Sequence, residues 1–281
     1  MQHRHATYSP LGRTVEDAFM NTLKNKTLLL PVTASLLLAL AGCGGAQEAP
    51  TPTATPTQES ETTATQAAPA TPVEALIAPE AKEIFPKVSA ALRSATSVSI
   101  DADMTRGSES AKVKLSGTRD GSNSRAQITR DGATVELLTA DGGSYVKADQ
   151  KFFTQNVGKD AAKMVDSLAH GKWISVKDTS QFGDLSIGTL LESLGAEDIK
   201  ESDLGKMTGK SVVDLNGAKA FKYTAKKGIL WIAAEGDPYL LQMEPKDSTG
   251  KDSGTVSFAE WNAVKPHTAP SKAETVAVPG L

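Results

Sequence analysis

The stretch Ile229-Leu230-Trp231-Ile232-Ala233, followed by Glu235-Gly236-Asp237-Pro238 and Tyr239-Leu240-Leu241-Gln242-Met243, is the clearest β-hairpin in the sequence. Two apolar runs of strand length flank a turn that contains Gly and Pro, the residues that punctuate regular structure. Such a hairpin predicts antiparallel pairing between strands that are neighbours in the chain. The segments on either side extend this pattern.

Alternating segments predict further strands. In residues 97–104 the even positions are apolar and the odd positions are polar, so one strand face is buried and the other is wet. Asp-Gly pairs at 120–121, 131–132 and 141–142 are typical of the turns between such strands. Short segments of the same kind predict strands at 112–118, 126–129, 135–139, 144–148, 152–154, 172–176, 211–215, 218–224 and 255–260.

Three segments have a helical period instead. Residues 79–95 place Ile84, Val88 and Leu92 on one face, and residues 161–168 group Met164, Val165 and Leu168. Residues 186–194 place their leucines and isoleucine at i, i+3, i+4 and i+7, and Gly195 ends that helix.

The fold class that these elements predict is α+β. One curved antiparallel sheet, a half-barrel, would have its concave apolar face covered by the short helices. Residues 76–265 would form this single domain, and the Pro- and Ala-rich residues 266–281 would be a flexible tail.

Residues 1–42 are typical of a secretory signal peptide. An apolar segment at 27–40, broken by Pro31, follows Lys24 and Lys26. Its 14 residues are too few to cross a bilayer core, which needs about 20 residues of helix. Translation from Met20 is an alternative to Met1, because Glu16 and Asp17 suit the start of a signal peptide poorly.

Leu40-Ala41-Gly42-Cys43 resembles the bacterial lipobox. The resemblance implies that a diacylglyceryl group is attached to the sulfur of Cys43 and that the chain is cut before this residue. Two or three acyl chains anchor a protein stably, at about 0.8 kcal/mol per buried methylene. The expected location is therefore the outer face of the cytoplasmic membrane. An ordinary signal peptide with an incidental cysteine is the alternative.

Residues 43–75 are expected to form a disordered tether. Beyond Cys43 and two glycines they consist mainly of Thr, Pro and Ala, with no aromatic, Lys or Arg. Such a composition buries too little apolar surface to offset the entropy of ordering. As a coil the tether spans about 30 Å, which would hold the domain off the membrane. Glycosylation of its threonines stays open.

Most catalytic functions lack the necessary residues. From Cys43 onward the chain has 26 basic and 31 acidic residues, and this mild excess of acid argues against nucleic acid as a partner. His170 and His267 are the histidines of this part, too few for a histidine metal cluster or for a Ser-His-Asp set. We therefore expect no enzyme activity, no cofactor and no metal.

Three polar motifs have simpler explanations than a site. Residues 205–211 place three residues between two glycines where a phosphate loop has four. Asp101 and Asp103 fit the wet face of a strand, and Glu235 and Asp237 fit the hairpin turn.

The order of helix, strands, two helices and strands looks like the LolA-like fold, and more narrowly it resembles actinobacterial lipoproteins of the LppX and LprG type. The resemblance covers about residues 76–276, together with the lipobox and the tether. It is carried by Leu92-Arg93-Ser94-Ala95 before Ser97-Val98-Ser99-Ile100, by the Trp231 hairpin, and by the strand 254–261 before Val264-Lys265-Pro266. It implies a cavity between helices and sheet that carries lipids or acylated glycolipids.

Apolar residues are the candidates for lining such a cavity. They are Trp173, Ile187, Leu190, Leu191, Phe221, Tyr223 and Trp231. A leucine stripe at helical spacing equally fits a filled core, and periodicity does not separate the two. The sequence thus predicts a monomeric, membrane-anchored lipoprotein that binds a lipid or another hydrophobic ligand for transport or presentation. The alternative is a protein-binding or sensing module with a filled core. Whether a partner transporter exists stays open.

Overall fold

The computed structural model of the chain describes residues 76–177, 186–193, 195–246 and 252–278. The predicted signal peptide, the lipobox with Cys43 and the tether lie outside the described residues. Leu194, the last residue of the predicted leucine stripe, also lies outside them.

The regular elements alternate between strands and short helices. The helices are α1 (Ala81–Ser94), α2 (Gln150–Val157), α3 (Lys159–Ala169), α4 (Ile187–Ser193) and α5 (Glu201–Leu204), with a 3-10 turn at Ala196–Asp198. The strands are β1 (Ser97–Arg106), β2 (Glu109–Thr118), β3 (Ser124–Arg130), β4 (Ala133–Ala140), β5 (Gly143–Ala148), β6 (Trp173–Val176), β7 (Met207–Leu215), β8 (Ala218–Ala225), β9 (Gly228–Ala233), β10 (Leu240–Pro245), β11 (Asp252–Ala259) and β12 (Thr275–Ala277). Within the described ranges, no helix combines the length and the apolar character needed to span a bilayer.

These strands form one open, curved sheet in the order β12-β6-β5-β4-β3-β2-β1-β11-β10-β9-β8-β7. Two meanders, β1–β5 and β7–β11, are joined where β1 pairs with β11. All pairs are antiparallel except β12 with β6, which is parallel. The prediction of a large, mostly antiparallel sheet with few short helices is confirmed.

The two faces of the sheet differ as the alternation predicts. The helices cover one of them, the core face, where a row of apolar residues crosses six strands: Ile100, Leu115, Ala126, Leu137, Val146 and Ile174. The opposite face, called the open face below, carries the neighbouring polar row: Asp101, Lys114, Gln127, Glu136 and Lys147. Each fully buried aliphatic side chain contributes about 1.5–3 kcal/mol, so the core face supplies the main stabilisation.

Helix α1 packs on the core face as its period predicts. Val88 and Leu92 are fully buried, and the ring of Phe85 meets the ring of Tyr223 edge to face at 5.3 Å between centroids. The Tyr223 hydroxyl donates a hydrogen bond of 2.8 Å to the carbonyl of Pro79. The start of α1 is thereby attached to β8.

One predicted strand is a helix. Residues 152–154 lie inside α2, because the Asp149 side chain caps the helix by accepting a hydrogen bond from the Phe152 amide at 2.7 Å. Its other carboxylate oxygen accepts one from the Thr134 amide at 2.8 Å. A side chain that satisfies free amides at a helix start outweighs the strand preference of Phe-Phe-Thr.

The apolar face of α3 is also different from the predicted one. Val165 is buried, but its partners on the buried face are Ala162 and Ala169. Met164 and Leu168 are 54% and 47% exposed. The small alanine side chains let α3 lie close to its neighbour α2. The positions of the larger apolar residues therefore do not identify the buried face of this helix.

The predicted flexible tail is wrong for residues 266–278. Strand β12 pairs with β6, and Val278 is 7% exposed. The amide of Ala269 donates to the Asp141 carboxylate at 2.9 Å, so the segment is fixed to the β4–β5 turn on its way. Polar contacts between residues far apart in sequence hold it, and these leave no trace in local composition.

Candidate binding site

The three predicted ligand-lining residues of α4 are buried in the core. Ile187, Leu190 and Leu191 are 1%, 8% and 0% exposed, and their helix packs against β2. The start of α4 is attached to the β2–β3 turn, where the Gly188 amide donates to the Arg119 carbonyl at 3.1 Å.

Phe221 and Tyr223 lie on the same face at a different place. Both belong to β8, which the sheet order separates from β2 by five strand spacings, about 24 Å in total. They are 7% and 1% exposed and pack beside α1. The α4 residues and these two aromatic rings nevertheless belong to one buried apolar cluster on the core face.

The two predicted tryptophans lie on the open face. Trp231 pairs with Lys222, whose ammonium lies 5.1 Å from the centre of its ring. Trp173 adjoins the core-face residue Ile174 and thus points the other way, with the Arg125 guanidinium 5.9 Å from its ring centre. The alternation of side chains along a strand predicts this orientation, because Trp231 lies between the core-face residues Leu230 and Ile232.

The five core-face residues are buried, since none of them exceeds 8% exposure. The Tyr223 hydroxyl is satisfied by Pro79 and its ring by Phe85, so neither end of that side chain faces free space.

A groove of about 340 Å³ lies on the open face, across β3, β2, β1 and β11. Most of the residues that line it are polar, but most of the surface that they expose to the groove is carbon. The lining residues are Ser99, Ile100, Asp101, Lys114, Leu115, Ser116, Arg125, Gln127, Ser257 and Ala259. In the sequence these positions fit the wet face of the strands, and no sequence pattern predicts a site among them.

The charges of the groove are neutralised within the protein. The Lys114 ammonium lies 3.1 Å from the Asp101 carboxylate, and the Arg125 guanidinium lies 2.6 Å from the Glu136 carboxylate. Ion pairs this exposed contribute at most about 1 kcal/mol to stability. To a ligand the groove offers these paired charges together with the neutral groups of Gln127 and Ser257.

The C-terminal segment, residues 261–278, borders the groove. His267 Nε2 lies 3.0 Å from the hydroxyl oxygen of Ser116, a groove residue. Asn123 brackets the same histidine, because its side chain accepts from the His267 amide and donates to the His267 carbonyl, both at 2.8 Å. These contacts join residues 144 positions apart, which sequence patterns do not reveal.

The acidic residues of the described chain do not assemble a metal site. No three His, Cys, Asp or Glu side chains among the described residues are close enough to hold a metal ion. Asp101 pairs with Lys114, and Asp103 pairs with Lys112 at 2.7 Å, as a wet strand face does.

Comparison with known proteins gives structural similarities alone. No family model matches the chain, and no curated protein matches it. An uncharacterized conserved protein from Thermus thermophilus is 13% identical, with a TM-score of 0.31 over 70% of this chain and 99% of that one. MucB from the Pseudomonas aeruginosa MucA/MucB complex is 15% identical, with a TM-score of 0.29 over 69% of this chain. The matched part is 59% of that MucB chain, less than two thirds of its length.

Proposed function

We propose that the protein is a membrane-anchored, extracytoplasmic protein-binding module whose LolA-like domain has a closed core. One observation carries this proposal. The residues that would line a lipid cavity are buried to 8% exposure or less on the core face, or lie on the open face beside Lys222 and Arg125. A closed core leaves the outer surface for recognition.

The groove on the open face is the binding site of this proposal. Its volume of about 340 Å³ is at the small end of ligand pockets, which range over roughly 300–1,000 Å³. Its hydroxyl, amide and ion-paired groups lie among exposed carbon. Such a mixed lining suits a polypeptide segment, since protein interfaces combine apolar contact with about one hydrogen bond per 100–200 Å². The proposed anchor and tether would present this face outside the membrane.

Native mass spectrometry tests the closed core. The chain from residue 43, carrying Cys43→Ser, would be purified from the source organism without detergent. We expect the mass of the polypeptide alone. A discrete added mass that disappears on organic extraction would overturn the closed core.

Site-specific crosslinking in cells tests the groove. A photo-reactive residue at Gln127 or Ser257 is expected to give a discrete crosslinked protein product. The control position is Lys87, which is exposed on α1 and lies on the other side of the sheet. The groove is excluded as the site when its positions give no product, or give the same products as Lys87.

Carriage of a hydrophobic ligand is the second candidate function. The observation that favours it is the continuous apolar cluster that α1 and α4 form with the core face, which an outward movement of α4 would open. The mechanism would be desolvation of acyl chains, at about 25 cal/mol per Å² buried. In the same mass spectra, a bound lipid that is lost in Leu191→Arg and kept in the exposed variant Lys87→Gln would favour this function.

A further inference from the structure

We infer that one end of the sheet docks on the anionic surface of the membrane that anchors the chain. This end carries four exposed lysines: Lys206, Lys226, Lys227 and Lys246. They are called the lysine cluster below. The inference rests on the proposed membrane anchoring, and its test is independent of the anchor.

Backbone hydrogen bonds bring the members of the lysine cluster together. The Lys226 amide donates to the Lys206 carbonyl at 3.0 Å, and the Lys246 amide donates to the Lys227 carbonyl at 2.9 Å. The four residues thus come from the start of β7, the β8–β9 turn and the end of β10, which meet at one end of the sheet. A cluster built by folding from three segments is not visible as a run of basic residues in the sequence.

The four lysines of the cluster form no ion pair with the described residues. Among these residues, Lys112, Lys114, Lys200, Lys210 and Lys219 form ion pairs, whereas other described lysines such as Lys159 and Lys163 do not, so it is their proximity that distinguishes the four clustered lysines. Within the described ranges, no carboxylate lies within ion-pair distance of the four clustered lysines. The whole chain has a formal charge of −3, and folding places four of its lysines together at this end.

The point where the tether would reach the folded domain lies beside this end. Pro79 accepts the hydrogen bond of Tyr223, and Glu80 pairs with Lys210 on the neighbouring strand. Lys226 follows Tyr223 by three residues, about 10 Å along the chain. The proposed tether would thus enter the domain at the end that carries the lysine cluster, and its coil length of about 30 Å would let this end reach the lipid headgroups.

Lysines near an anionic leaflet each strengthen binding by about fivefold at moderate salt. The attraction falls off within about 10 Å at 0.1 M salt, so it acts only when the domain is close to the surface. Stable membrane attachment commonly combines two signals, an acyl chain and a basic patch. The lysine cluster would be the second of these signals. The lysine cluster would hold the domain near the membrane in one orientation, which leaves the open-face groove accessible to a partner.

The test uses the chain from residue 43 with Cys43→Ser, so that no acyl group contributes. Co-sedimentation is measured with vesicles of phosphatidylcholine and phosphatidylglycerol at about 3:1, and with phosphatidylcholine alone. We expect salt-sensitive binding to the anionic vesicles only. Replacing two members, Lys226→Gln with Lys227→Gln, is expected to lower partitioning by about 25-fold.

The matched control is Lys159→Gln with Lys163→Gln, which removes two exposed lysines of α3. Equal loss in this control, or no preference for anionic vesicles, would overturn the inference. Binding to a soluble polyanion such as polyphosphate without binding to the vesicles would also overturn it, by assigning the lysine cluster to a polymer. Failure of the anchor would appear separately, in membrane fractionation of the unaltered chain.

Discussion

Tyr223 connects strand β8 with helix α1 and with the entry to the fold. Its ring packs against Phe85 of α1, and its hydroxyl donates to Pro79 at the entry to the fold. Tyr223→Phe keeps the ring and removes the donor, so we expect the free energy of unfolding to fall by about 1 kcal/mol in urea denaturation. Tyr223→Ala should cost about 3–5 kcal/mol. A Phe variant as stable as the parent chain would show that the hydrogen bond contributes nothing.

The same residue predicts a pH dependence. Burial, and then the nearby Glu80 and Glu83 carboxylates, raise the pKa of Tyr223 to about 12. Because this lies above the ordinary value of 10.0, the folded chain keeps the proton when the unfolded chain releases it. The stabilisation is therefore complete below pH 10 and is lost as the pH rises toward 12. Urea midpoints at pH 8, 10 and 11 should decline more steeply for the parent than for Tyr223→Phe, and parallel declines would contradict the shift.

At the scale of elements, the C-terminal segment is predicted to be part of the folded domain. A stop after Lys265 removes β12, the buried Val278 and the contacts of His267, so we expect a loss of about 2–4 kcal/mol. Asn123→Ala removes the two hydrogen bonds to His267 and should cost about 1–2 kcal/mol. Hydrogen exchange should show protected amides at Ala269 and in 275–277. Full exchange of these amides would show instead that the segment is a flexible tail.

Helix α3 allows a test of which face is inside. Val165→Ala should cost about 2 kcal/mol, because two buried methylene equivalents are lost and a small cavity remains. Met164→Gln and Leu168→Gln should change the unfolding free energy by less than about 0.5 kcal/mol, since both side chains are about half exposed. The opposite ranking would mean that the larger residues face the core.

At the scale of the whole molecule, sequence patterns predict the features that depend on neighbouring residues. Strand alternation and Asp-Gly turns identify β1–β5, because a period of two and a turn type depend on neighbouring residues. The pairing of β1 with β11 joins residues such as Ile100 and Phe258, and no local pattern encodes it. The candidate pocket stays a prediction, since helical spacing identifies buried leucines without indicating over which strand they pack. The position of Trp173 and Trp231 on the open face is predictable from sequence, because the alternation of side chains along a strand assigns both to that face.

The proposed membrane location depends on Cys43, which lies outside the described residues, and this dependence can be tested directly. Cys43→Ser removes the proposed acceptor of the diacylglyceryl group, so the protein should move from the membrane fraction to the soluble extracytoplasmic fraction. The lysine cluster alone should not retain it, because four lysines near an anionic leaflet give salt-sensitive binding, unlike acyl chains. Fractionation at low and at high salt separates the two contributions, with Lys159→Gln as a variant that should stay membrane-bound. Retention of Cys43→Ser at high salt would contradict lipid anchoring.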